Sequence, residues 1–94
     1  MRITPKNILR HELIGLYVRV LRSKNRSLEG IEGRVIDETM KTLIIETETG
    51  RRVMVPKSVC EFVFTLPDGT EVLVVGSCIV GRPEDRLKRK IRSW

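Results

Sequence analysis

The side chains best suited to covalent or metal chemistry are few in this chain. They are one histidine, His11, and two cysteines, Cys60 and Cys78. His11 has no partner for nucleophilic catalysis, because the sequence holds neither a Gly-x-Ser-x-Gly elbow nor a reactive-cysteine motif. Three such side chains are also too few for a structural zinc site. The sequence therefore predicts no catalytic residue, metal or cofactor in this chain, and both cysteines are interpreted as reduced, buried and apolar in character.

Carboxylates and glycines give no stronger signal for chemistry. Acidic residues lie close together at Asp37-Glu38 and at Glu46 and Glu48. Alternate residues of a strand point to the same side, so this spacing favours a solvated strand face over a metal site. No glycine-rich loop of the kind that binds nucleotide phosphates is present. A binding protein is therefore favoured over an enzyme with its own active site.

The charged residues are sorted by position along the 94-residue chain. Residues 1–26 carry seven Lys or Arg against one acid, residues 27–80 five against nine, and residues 81–94 six against two. The segment charges of +6, −4 and +4 add up to the formal net charge of +6. Two basic ends around an acidic middle predict a small domain that presents one surface to a polyanion such as RNA. The alternative is that the basic runs are only a solvated surface.

Such a protein would bind RNA by its phosphates rather than by its bases. Only four aromatic residues occur, and Phe62 and Phe64 fall on the predicted core face. Proteins that read single-stranded bases stack them on exposed aromatic rings, so Lys and Arg must carry the binding here. The predicted RNA-binding residues are Lys6, Arg10, Arg22, Lys24, Arg26, Arg82, Arg86, Lys88, Arg89 and Arg92. The hypothesis requires the two basic ends to share one face without carboxylates between them.

The elements that would position these side chains are mostly strands. Twenty Val and Ile residues, with no Ala or Gln, favour β-structure. Strand-like runs between residues 16 and 80 end with a closing strand at residues 78–80, and Leu66-Pro67-Asp68-Gly69-Thr70 is the clearest hairpin signal. Gly33 marks a bend or bulge. We predict a mainly β fold, a small and strongly bent antiparallel barrel of the Sm-like or SH3-like type.

A short helix is predicted at each end of this single domain of residues 1–94. The first, over residues 5–14, is indicated by Thr4-Pro5 at its start and by Gly15 at its end. The second, over residues 83–93, begins at Pro83, with acids in its first turn and bases after them.

The second helix carries an apolar stripe of Leu87, Ile91 and Trp94. The stripe either packs on the barrel or helps to form a dock for a partner protein. Exposure of Ile14, Leu28 and Met54 would favour the dock. No apolar run approaches the roughly 20 residues that span a bilayer, and no hydrophobic signal region opens the chain, so we expect a cytoplasmic protein without membrane contact.

Several ordered segments resemble a known family. They are Ser23-Lys24-Asn25-Arg26-Ser27-Leu28-Glu29-Gly30-Ile31-Glu32-Gly33-Arg34-Val35-Ile36-Asp37-Glu38-Thr39, Lys41-Thr42-Leu43-Ile44-Ile45, Val55-Pro56-Lys57, Phe62-Val63-Phe64-Thr65-Leu66 and Gly81-Arg82-Pro83-Glu84-Asp85-Arg86. Together, over about residues 4–91, they resemble the archaeal Sm-like protein component of ribonuclease P, which is related to a subunit of the eukaryotic mitochondrial-RNA-processing ribonuclease. The resemblance implies a barrel with terminal helices.

The resemblance also implies the function and the partners. It implies an accessory, RNA-binding subunit of the ribonucleoprotein that removes the 5′ leader from precursor tRNA, with the catalytic centre and its magnesium ions in the RNA. It further implies a small zinc-ribbon protein subunit as the protein partner, and we expect a monomer when the chain is isolated. Two alternatives stay open. One is an Sm-type homo-oligomeric RNA chaperone, and the other is an SH3-like adapter, which the shortage of aromatic residues makes the least favoured.

Overall fold

Six strands form the middle of the chain. The computed structural model describes residues 3–87. Its strands are β1 (Tyr17–Ser23), β2 (Glu32–Glu38), β3 (Thr42–Glu46), β4 (Arg52–Pro56), β5 (Cys60–Thr65) and β6 (Glu71–Val75). They form one sheet in the order β4-β3-β2-β1-β5-β6, and all neighbouring strands are antiparallel. The prediction of a mainly β, antiparallel fold is confirmed.

The connection from β4 to β5 forces this sheet to curl. In a flat sheet, four inter-strand steps would separate these two strands by roughly 19 Å. Only residues 57–59 join them, and a fully extended chain from Pro56 to Cys60 spans at most about 14 Å. Bulges between Val20 and Arg22 and between Val35 and Asp37 supply part of the curvature. Within residues 3–87 no ladder joins β4 to β6, so the sheet is curled but not closed.

The inner face of the curled sheet is the core. Side chains alternate along the strands as predicted, so that Val18 and Val20 of β1 are buried while Arg19 between them is exposed. Phe62 and Phe64 are fully buried on β5, with ring centroids 5.9 Å apart. The predicted core position of the two phenylalanines is confirmed, and neither ring is available to RNA.

The predictions made for Gly69 and Gly33 had different outcomes. Gly69, with a φ of 91°, closes the β5–β6 hairpin at the predicted position. The bend predicted at Gly33 lies instead at Ile36, where the register between β2 and β3 shifts. Gly33 is needed for a close approach, because a Cβ there would collide with the backbone carbonyl of Glu46.

The predicted helix over residues 5–14 is wrong. Only a 3₁₀ turn, Ile8–Arg10, is present, and the chain is extended at His11. A helix over these residues would use the Leu9 carbonyl internally, and its C-terminal cap would pair the His11 carbonyl with the Gly15 N–H. They accept instead from Arg86, at 3.1 and 2.9 Å, and the Gly15 N–H donates to the Val35 carbonyl at 2.7 Å. Contacts with distant residues therefore replace a short helix that is marginal on its own.

The end of the chain differs from the prediction in one element. Residues 78–80 are not a strand, because a 3₁₀ helix, Gly76–Ile79, follows β6. This helix buries Ile79 and leaves Cys78 exposed, so the prediction of burial is right for Cys60 and wrong for Cys78. Helix α1 (Pro83–Leu87) begins at the predicted residue. The remainder of the helix predicted to residue 93, with Ile91 and Trp94, lies outside the described residues.

Candidate nucleic-acid interface

Residues 23–30, which we call the basic loop, are held by their own side chains. Asn25 Oδ1 accepts hydrogen bonds from the Ser27 N–H at 3.2 Å and from the Ser27 hydroxyl at 2.7 Å. The Asn25 N–H donates to Ser23 Oγ at 3.1 Å, and the Lys24 N–H donates to the Val59 carbonyl at 3.0 Å. A 3₁₀ turn, Arg26–Leu28, follows. These bonds order the loop without any ligand.

Three of the predicted RNA-binding residues come together at this loop. Arg22, Lys24 and Arg26 line one open groove of about 400 Å³, which we call the basic groove. The rest of its lining is Ser23, Glu29, Ser58, Val59, Cys60, Glu61 and Val75. The three cationic residues are exposed, and none forms an ion pair within residues 3–87. Their charges are therefore available to an anion from solvent.

One lining residue of the basic groove is a thiol that stays protonated. Burial raises the pKa of Cys60, while a hydrogen bond to the Ser23 hydroxyl at 3.3 Å acts in the opposite direction and is the smaller effect. A thiol with a raised pKa is a poor nucleophile at neutral pH. The Cys60 thiol is therefore not a reactive group in the groove.

Two carboxylates also line the basic groove, and the sequence did not reveal them there. Glu29 lies on the basic loop itself, and Glu61 lies on β5 directly across from Arg22. Three cations and two carboxylates leave the groove a net charge of +1. The requirement that no carboxylate lie among the basic residues is therefore not met. The position of Glu61 depends on the pairing of β1 with β5, which no local sequence pattern specifies.

Arg86 does not fit its predicted role in RNA binding. It is fully buried, and its guanidinium forms an ion pair with Glu38, with Nη2 to Oε1 at 3.1 Å. Lys57 Nζ lies 2.6 Å from Glu38 Oε2, and both side chains are inaccessible to solvent. We call Glu38, Lys57 and Arg86 the buried ion cluster. Arg86 is withdrawn from the RNA-binding set, because no phosphate in solvent can reach it.

The buried ion cluster joins the two ends of the described chain. Arg86 on α1 donates to the carbonyls of Leu9 and His11 near the start of the chain. Arg86 and Lys57 both donate to the Gly81 carbonyl, at 2.6 and 2.9 Å. The amino-terminal turn therefore lies against α1, as a shared face for the two basic ends requires.

The other predicted residues lie on these joined ends or beyond the described chain. Lys6 and Arg82 are exposed, and Arg10 is half-buried with an Nε that has no hydrogen-bond partner within residues 3–87. Lys88, Arg89 and Arg92 lie outside the described residues.

Acidic residues gather at a different part of the sheet. Glu46 and Glu48 line a second open cavity with Tyr17, and Glu48 also lines a third with Glu32. Burial, together with the carboxylates of Glu32 and Glu48, raises the pKa of Tyr17. The half-buried Tyr17 side chain therefore lies close to the carboxylates of Glu32 and Glu48 as well as to Arg19 and Arg34, and the two carboxylates make it a less favourable platform for a nucleotide. This supports binding through phosphates rather than through stacked bases.

Metal-binding groups and membrane-spanning helices are both missing from residues 3–87. Within them, no three His, Cys, Asp or Glu side chains come together in a group that could hold a metal ion. None of the helices in the described part of the chain is long and apolar enough to cross a membrane.

Known proteins match this chain in sequence and in fold. A family model described as "Ribonuclease P/MRP, subunit p29" matches residues 6–89. The chain belongs to the ribonuclease P/MRP subunit p29 family. A protein named "Ribonuclease P protein component 1" from Methanocaldococcus jannaschii is 54% identical to this p29 chain over 90 residues, which are 96% of this chain and 94% of the relative. Another of the same name from Thermofilum pendens is 52% identical over 100% of both chains.

A solved structure supports the same assignment for the p29 chain. It is described as "Structure of Mth11: A homologue of human RNase P protein Rpp29" and matches with a TM-score of 0.60 and 51% identity. The match covers 81% of this chain and 97% of that one. The resemblance noted in the sequence is confirmed, and the p29 chain is a protein subunit of ribonuclease P.

The sequence held no signal that separates the buried ion cluster of this p29 chain from the basic groove. Glu38, Lys57 and Arg86 each lie in a segment that carries the family resemblance, but so does Glu29. Only the structure shows that the first three are buried and that Glu29 and Glu61 line the groove.

Proposed function

We propose that this p29 subunit binds the RNA of ribonuclease P through the basic groove and the joined chain ends. The observation that carries the proposal is the position of Arg22 on β1 and of Lys24 and Arg26 on the ordered basic loop, all three exposed and without ion-pair partners within residues 3–87. Because the loop backbone is ordered without RNA, binding does not have to order it, and only the side chains lose conformational freedom when they contact phosphates. The same contacts release counterions from the RNA.

Phosphate neutralisation of this kind favours a compact RNA. Strands of an RNA repel each other where its helices pack closely, and cationic side chains reduce that repulsion. The subunit thereby helps the catalytic RNA to fold and to hold precursor tRNA for removal of its 5′ leader. Magnesium ions are assigned to the RNA, and this chain performs no chemical step. Besides the basic groove, the proposed contacts are Lys6, Arg10, Arg82, Lys88, Arg89 and Arg92.

Three finer features belong to the same proposal. The curled sheet is an open form of an Sm-like barrel, which the short β4–β5 connection supports. The isolated chain is a monomer that pairs with a small zinc-ribbon subunit of the same enzyme. Its location is the cytoplasm, in keeping with the archaeal origin of the relatives.

A charge-reversal experiment tests the proposal. The triple variant Arg22→Glu, Lys24→Glu, Arg26→Glu is compared with a control, Lys41→Glu, Arg51→Glu, Arg52→Glu, which reverses three exposed charges outside the groove, of which Arg52 is ion-paired with Glu46. Affinity for the ribonuclease P RNA is measured over a range of salt concentrations. We expect the groove variant to bind more weakly and to lose about two to three units of the log–log salt slope. Equal behaviour of the two variants would reject the proposal.

The sheet edges, which no strand within residues 3–87 covers, favour one second candidate, an Sm-type homo-oligomer. β4 and β6 are edge strands, and each exposes a large apolar side chain, Met54 at 63% and Leu73 at 59%. Exposed edges can pair between copies. Sedimentation of the pure protein separates the candidates, because a closed ring of copies sediments as a single large species, whereas the p29 proposal expects a monomer.

A further inference from the structure

The mixed charge of the basic groove is not what a site for phosphate alone requires. A phosphodiester offers only hydrogen-bond acceptors, and a neighbouring carboxylate repels it. Glu29 and Glu61 nevertheless line the groove together with three cations, and neither carboxylate is neutralised by an ion pair within residues 3–87. The groove therefore suits a ligand that carries hydrogen-bond donors close to its phosphates.

The Glu29 carboxylate is held by a hydrogen bond, and the strand pairing sets the position of Glu61. Glu29 Oε2 accepts a hydrogen bond from the Ser23 N–H at 3.1 Å, which fixes the carboxylate against the end of β1. Glu61 is half-buried on β5, in register with Arg22 on β1. Arg22, a cation that can bind a phosphate, and Glu61, an acceptor for a hydrogen-bond donor of the same ligand, thus lie on neighbouring strands.

The sugar–phosphate backbone of RNA has one such donor, the ribose 2′-hydroxyl, and the backbone of DNA has none. We propose that Glu29 and Glu61 accept hydrogen bonds from ribose 2′-hydroxyl groups of the strand whose phosphates contact Arg22, Lys24 and Arg26. The basic groove then selects RNA over DNA without reading bases. This inference rests on the proposed function, because it assumes that RNA occupies the groove.

Interference mapping tests the inference at every nucleotide of the RNA at once, so the protein's binding site on the RNA need not be located first. Ribonuclease P RNA is transcribed with random 2′-fluoro nucleotides and separated into protein-bound and free pools. Fluorine removes the donor but keeps the ribose in the conformation of A-form RNA, so a loss of binding reports the hydrogen bond rather than the helix shape. With the unaltered chain, we expect a few positions at which 2′-fluoro lowers binding about tenfold, as for a hydrogen bond to a charged group.

The variants Glu61→Ala and Glu29→Ala should each abolish interference at their own positions. Glu61→Gln keeps the size and one acceptor oxygen and should retain a weaker, severalfold interference. The control is Glu71→Ala, an exposed carboxylate on β6 outside the groove, which should leave the pattern unchanged. Absence of 2′-fluoro interference with the unaltered chain, or the same pattern with Glu61→Ala, would overturn the inference.

Failure of the inference is distinguishable from failure of the proposed function. If the Arg22, Lys24 and Arg26 reversal weakens RNA binding but Glu61→Ala leaves the pattern unchanged, only the ribose contact is wrong. If the reversal has no more effect than its control, the groove does not bind RNA, and both the proposed function and the ribose contact are wrong.

Discussion

The basic groove and the buried ion cluster contain the same residue types but use them in opposite ways. In the cluster, two cations share the carboxylate of Glu38, and all three side chains are inaccessible to solvent. In the groove, three cations and two carboxylates are exposed or half-buried, and none is ion-paired within residues 3–87. The first arrangement leaves no charge for a ligand, and the second leaves all of it. Burial and pairing, rather than the number of charges, distinguish a structural site from a binding site.

The cluster carries one more positive than negative charge, and backbone carbonyls compensate for it. Lys57 Nζ donates to the carbonyls of Thr39 at 2.8 Å and Gly81 at 2.9 Å, and Arg86 donates to four carbonyls from two parts of the chain. Such groups stabilise a fold only when all the partners are present. The comparison therefore predicts large stability effects and no binding effect in the cluster, and the reverse in the groove.

The largest effect is expected for Glu38→Gln. This change removes the charge of the carboxylate that Lys57 and Arg86 share, and breaking a buried pair in this way costs about 3 to 5 kcal/mol. Urea unfolding should show that loss as a lower midpoint with an unchanged m-value. The control Glu71→Gln, on the exposed part of β6, should change the free energy of unfolding by less than about 0.5 kcal/mol. Similar results for the two variants would show that the cluster does not stabilise the fold.

The variant Arg86→Met separates the two roles directly. Methionine removes the charge and every hydrogen bond of the buried guanidinium, so we expect a loss of about 3 kcal/mol in the free energy of unfolding. The salt slope of RNA binding, measured well below the unfolding temperature, should stay the same. A reduced slope with unchanged stability would return Arg86 to the RNA interface.

These two regions also show how far a sequence can be interpreted. The strand alternation and the hairpin at Gly69 were predictable, because neighbouring residues determine them. The amino-terminal helix was not, because Arg86, more than seventy positions away, takes the carbonyls that the helix would need. The bulge at Ile36 likewise moves Glu38 from the outer to the inner face of β2. Local patterns thus predicted the scaffold, while long-range contacts decided which charges are buried.

A smaller effect is expected for Lys24→Ala in the basic groove. Lys24 is exposed and its side chain forms no ion pair within residues 3–87, so the free energy of unfolding should change by less than about 0.5 kcal/mol. Loss of one phosphate contact should lower the salt slope of RNA binding by about 0.7 to 0.9. Filter binding at several salt concentrations measures the slope. The opposite pattern, a lost stability with an unchanged slope, would make Lys24 a structural residue like Arg86.

The smallest effect is expected for Asn25→Ala, which disturbs the conformation of the basic loop but leaves its charge unchanged. Asn25 carries no charge, but its Oδ1 accepts both hydrogen bonds from Ser27 that hold the loop. Asn25→Ala removes this cap, which is worth about 1 kcal/mol, so RNA affinity should fall by about fivefold as the loop loses its order. The salt slope should not change, because Arg22, Lys24 and Arg26 still contact the same number of phosphates. Unchanged affinity would mean that the groove works by charge alone, and a lower slope would mean that the loop conformation decides which cations reach the RNA.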